Sequence, residues 1–190
     1  RLWRASRAGS TDVFESLPDI PRLFTALAEW GAALVYVFVV ARSASSNALN
    51  PNAAIPRWRL AVAAVGGLVV LAGAQELLGR APLCLWVPGM MMAYALMWGV
   101  IRVGTALDWR WVTHMSARAF IVAELAASLA WQVVVYSHAD KPFWHPVSFG
   151  GFAAIAAMCL AVVYFFERRV YRQGALPILR VSDLASGVLI

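Results

Sequence analysis

Apolar residues gather into five long runs separated by short polar connections: residues 23–41, 60–79, 83–101, 119–137 and 147–166. Each run is close to the 18–25 residues that a helix needs to cross a hydrocarbon core about 30 Å thick. Nothing in that medium can satisfy a bare backbone, so such segments must be helices or strands of a closed barrel. The strict apolar and polar alternation of a barrel strand is absent. The pattern therefore predicts an all-α, polytopic transmembrane bundle of five spans, with a sixth beginning near SGVLI at residues 186–190.

The connections agree with this division. SASSNALNPNAAIPR (residues 43–57) has the Ser, Asn and Pro content of a loop, GRAP (79–82) is a tight connection, and HADKPFWHP (138–146) is short. Residues 1–22 read as a polar tail or loop, and residues 23–190 as a multi-span membrane domain. The first span is the least regular, because Glu29 interrupts it and its strongly apolar part is residues 30–41. The chain opens at Arg1 and stops as an apolar run begins, which reads as a fragment of a longer protein.

Composition sharpens the class. Of 190 residues, 62% are hydrophobic and 14% charged, too few polar groups to coat a soluble core. The net charge of +6 comes from 16 basic and 10 acidic residues, and the arginines flank apolar runs. They therefore report orientation and contact with the lipid bilayer rather than nucleic acid. If the five spans alternate, one side receives Arg42, Arg57, Arg59, Arg102, Arg110, Arg118, Arg168, Arg169, Arg172 and Arg180, and the positive-inside rule makes that side cytoplasmic. Trp58, Trp86, Trp109, Trp111 and Trp144 stand near the ends of spans, where interfacial indoles sit. Cys84 and Cys159 lie within apolar runs and read as small buried hydrophobes.

Polar residues inside the spans are the candidates for function. In RAFIVAELAASLAWQVVVY (residues 118–136), Glu124, Ser128 and Gln132 recur every fourth position and form one polar line on a helix, with Trp131 beside it. A carboxylate at that depth must face the bundle, be protonated or pair with a cation. Either the line contacts a ligand, or it makes helix-to-helix hydrogen bonds that serve assembly alone. Arg118, six residues before Glu124, falls on the opposite face and is expected at the membrane interface. Glu76 stands four residues before Arg80, the spacing of a helical ion pair. Pro88 and Gly89, followed by Met90, Met91 and Met92, permit a kink or hinge in the third span. His138, Asp140 and His145 match no strong metal-site spacing, so no metal is expected. Phosphate-loop, dinucleotide and hydrolase motifs are missing, and no catalytic residue is expected.

The fourth span resembles a segment in the membrane-embedded input modules of bacterial GHKL-type sensor histidine kinases, relatives of peptide-receptor kinases. VVYFFERRVYR (residues 162–172) and the apolar start after Asp183 are similar to that family as well. The likeness covers roughly residues 115–190, and it departs where Ala130 stands in place of a second acid before the Trp131–Gln132 pair. It implies a homodimer in the bacterial cell (cytoplasmic) membrane and an extracellular peptide or small-molecule signal. ATP and Mg would belong to a kinase domain downstream, with no cofactor in this segment. Two other classes stay open: a small transporter or channel built on Glu124, and a structural membrane subunit without a ligand.

Overall fold

The computed structural model describes residues 20–46, 55–105, 107–137 and 146–172. All five spans are helices: α1 (Arg22–Ser46), α2 (Arg57–Gly79), α3 (Trp86–Thr105), α4 (Trp109–Ser137) and α5 (Pro146–Arg172). The expected sixth span and the loop bearing His138, Asp140, Trp144 and His145 lie outside the described residues. Each helix is long and apolar enough to cross a membrane. Large apolar side chains such as Val65, Leu77, Met91, Leu125 and Phe165 face outward, as lipid-facing positions do.

The hub is α1, which packs against all four other helices. It is also the span whose apolar run is broken, and the break is repaired by packing. Glu29 is completely buried, and its Oε1 accepts a hydrogen bond from Gln75 Nε2 at 2.7 Å. Small residues make the close crossings possible: Ala28 and Ala32 on α1 share one buried cluster with Ala123 and Ala127 on α4 and with Leu71 on α2. Gly104 of α3 sits where a Cβ would meet the Val37 methyls at 2.7 and 2.8 Å and Ala63 Cβ at 3.2 Å. Three helices touch there with no room for a side chain.

Two helices differ from their apolar runs. Helix α4 begins at Trp109, ten residues ahead of the run at 119–137. Arg110, Thr113, His114 and Arg118 dilute the hydropathy of those nearly three turns, yet Val112, Met115, Ser116 and Ala119 are all buried, the i, i+3, i+4, i+7 stripe of a packed helix. Tyr94 and Trp98 of α3 fasten this extension, donating to the Thr113 carbonyl at 3.2 Å and to Thr113 Oγ1 at 3.1 Å. Helix α2 contains one widened π turn at Val62–Gly66, and Trp30 Nε1 of α1 donates to the Ala64 carbonyl within it at 2.7 Å. A π turn disturbs the normal carbonyl partnering of a helix, and the indole satisfies one of the affected oxygens.

The expected kink at Pro88 and Gly89 takes a different form. Helix α3 starts at Trp86, after a 3₁₀ turn at Leu83–Leu85. Pro88 therefore occupies the first turn, where a missing N–H costs no α-helical hydrogen bond, and only the 3₁₀ turn at Leu83–Leu85 precedes it. Gly89 is buried, and a Cβ there would collide with Leu78 of α2. Its smallness serves contact with α2 at the start of the helix.

Candidate functional site

Among the described residues, two polar clusters occupy the interior, one toward each end of the bundle. The first lies on the side where α1 begins and α2 ends. Gln75 is 1% exposed, and adjacent Glu76 points outward to pair with Arg80 at 3.0 Å. A rotation of about 100° per residue separates these two fates. The Glu29 carboxylate keeps its second oxygen, Oε2, buried without a hydrogen-bond partner. Glu124 of α4 is half-buried, and its Oε1 is likewise buried and unpartnered. The two carboxyl groups interact electrostatically, and Arg22 is the cation that acts on Glu124. The Arg22 stem crosses the C-terminal end of α2, with Cγ 3.0 Å from the Cβ position of Gly79. Glu29 stands seven residues inside α1, about 10 Å below its end at a rise of 1.5 Å per residue.

The second cluster joins α1, α4 and α5. Glu167 is 2% exposed, and the Arg118 guanidinium grips it with both nitrogens, Nη2 at 2.6 Å from Oε1 and Nη1 at 3.3 Å from Oε2. The Tyr36 hydroxyl donates to Oε1 at 3.1 Å. A forked guanidinium contact of this kind fixes direction as well as distance. Arg118 thus serves Glu167 and leaves Glu124 to the first cluster, in keeping with their opposite faces on α4.

The polar line on α4 does not stay in the interior. Four residues advance a helix by 400°, so each step drifts about 40° around the axis. Glu124 is half-buried, whereas Ser128 and Gln132 are exposed on the bundle's outer surface. Trp131 is half-buried against the small cluster of Phe24, Ala130, Val134, Phe152 and Ala156. Of Glu124, Ser128, Trp131, Gln132 and Glu76, only Glu124 joins the interior carboxyl cluster. Glu29 and Gln75 were not singled out by the sequence pattern, although one signal was present. Glu29 breaks an apolar span in the same way as Glu124.

A helical bundle with five such spans and carboxyl groups in its interior is a multi-pass membrane protein. Compared with protein-family models, curated proteins and solved structures, the chain matches none.

Proposed function

We propose that the chain is the membrane-embedded input region of a GHKL-type sensor histidine kinase, in which Glu29, Gln75 and Glu124 form the site that registers the signal. The observation that supports this reading is the sharing of helices between the two clusters. Helix α1 contributes Glu29 to one and Tyr36 to the other, and α4 contributes Glu124 and Arg118. Six to seven residues separate the members on each helix, about 10 Å. A ligand that favours one arrangement of α1 against α4 therefore also changes the grip on Glu167 of α5, the helix that continues to Arg172. Such transmission requires unequal affinity for two arrangements, and carboxyl oxygens without partners are groups whose satisfaction differs between them. The resemblance of residues 118–136 and 162–172 supports the kinase assignment. It brings with it a homodimer, a bacterial cytoplasmic membrane with the arginine-rich side inward, and ATP with Mg in a domain beyond this chain.

The test is kinase output in the parent protein. Glu124→Gln is expected to change signal-dependent autophosphorylation at least tenfold while the amount in the membrane stays constant. A parent gene without an ATP-binding kinase domain overturns the assignment. The unpartnered oxygens of Glu29 and Glu124 also favour a second reading, a cation- or proton-coupled transporter. Uptake into vesicles that depends on Glu124 selects that reading, and no uptake under any imposed gradient rejects it.

A further inference from the structure

We propose that Glu29, Gln75 and Glu124 bind one small monovalent cation, sodium or hydronium, between α1, α2 and α4. The proposal rests on taking this cluster as the ligand site, and it holds whether occupancy is signalled or transported. Glu29 is 0% exposed, with Oε1 held by Gln75 and Oε2 held by nothing. Glu124 presents a second buried oxygen without a partner. Buried oxygens of this kind are costly unless a proton, a donor or a cation satisfies them.

Among the described residues, the surrounding charges leave the two carboxyl groups with one cation between them. On α1 the neighbouring cation is Arg22, which acts on Glu124. On α2, Glu76 and Arg80 are exposed and paired with each other. On α3, Tyr94 donates its hydroxyl to the Thr113 carbonyl. On α4, Arg118 is engaged by Glu167 of α5. Among the described residues, two carboxyl groups face one guanidinium, so at most one negative charge is left uncompensated, which a monovalent ion balances and a divalent ion overshoots. Carboxylate and amide oxygens are hard donors, suited to a hard cation. Gln75 contributes by orienting Glu29, since its amide fixes Oε1 and leaves Oε2 for the ion.

Purified chain in detergent tests this without any kinase readout. Thermal unfolding is followed in choline chloride and in sodium chloride at equal ionic strength, with potassium and lithium chloride as further arms and a pH series in choline chloride. A sodium-specific rise of about 5–10 °C at a hundredfold excess over Kd, lost in Glu29→Gln and Glu124→Gln and retained in Glu76→Gln, supports sodium. The same rise on lowering the pH without sodium, lost in the same two variants, supports hydronium. Glu29→Gln mimics the neutralised state and should melt, without any added cation, no lower than the cation-free wild type. Radioactive sodium binding to Glu124→Gln provides a second readout should Glu29→Gln fail to fold, with at least a tenfold weaker Kd expected. No cation-dependent rise in any arm, or a rise that persists in both variants, overturns the proposal.

Discussion

Replacing Arg118 by alanine isolates the energetic role of the clasp on α5. The Glu167 side chain is 3% exposed and that of Arg118 is 47% exposed. Removing one partner of a fully buried ion pair costs about 3–5 kcal/mol, because the other charge is left buried and unpaired. Here half of the guanidinium already faces outward, and screening lowers the expected loss to about 2–3 kcal/mol. At 2–4 °C per kcal/mol for a chain of this size, Arg118→Ala should melt about 4–12 °C below wild type in detergent, followed by tryptophan fluorescence. Tyr36→Phe removes one donor to a charged acceptor, about 1.5–3 kcal/mol, and should lower the midpoint by about 3–12 °C. The decisive comparison is the double variant Arg118→Ala with Glu167→Gln. A glutamine at position 167 needs no counter-cation, so the double variant should recover roughly 1 kcal/mol relative to Arg118→Ala alone. If Arg118→Ala melts within ~1 °C of wild type, or if the double variant is worse by the full sum of its parts, then a desolvated ion pair is not what holds α5 to α4.

Other sites give sharper single tests. Gly104→Ala drives a methyl group against both Val37 methyls, and one stiff χ1 cannot turn both away; about 1–3 kcal/mol should be lost. Gly99→Ala on the same helix meets nothing within 4 Å and should be neutral or stabilising by up to about 1 kcal/mol. Equal melting shifts for the two variants would contradict this packing. Trp30→Phe leaves the Ala64 carbonyl in the π turn without its indole donor and should cost about 1 kcal/mol, whereas an unchanged midpoint removes the turn's need for that donor. Cys84 is exposed just before α3, on the side expected from the arginine distribution to face out, and Cys159 is half-buried in α5. A membrane-impermeant maleimide should therefore label Cys84 in intact cells, and labelling confined to inside-out vesicles would reverse the orientation argued from arginine.

The fold was legible because a span is a one-dimensional property. Twenty apolar residues must be a helix in lipid whatever they touch, so five runs became five helices. The Glu76 and Arg80 pair was legible for a related reason, since its partners lie on one helix. What escaped were properties that need two helices at once. Gln75 and Glu29 are 46 positions apart, and nothing local distinguishes inward Gln75 from outward Glu76. The polar first ten residues of α4 are too hydrophilic to be read as part of a span, yet they carry a buried stripe of Val112, Met115 and Ser116. Ser128 and Gln132 show the opposite failure. Spacing by four places them in line with Glu124 on paper, and a drift of about 40° per step turns that line out of the bundle.

That drift also explains why the centre of the site moved from α4 to α1. An interior polar group is tolerated when neighbouring helices satisfy it, and the helix with the most neighbours can satisfy the most. Helix α1 touches all four others, and it carries both the fully buried acid, Glu29, and the buried phenol, Tyr36. Helix α4 reaches the same two levels through Glu124 and Arg118, but its polar groups lean outward on either side of them. The α1–α4 pair therefore behaves as one ladder with two polar rungs about 10 Å apart, tied to α2 at one rung and to α5 at the other. On the proposed reading, a change of occupant at one rung shifts the register of the pair and is felt at the other rung.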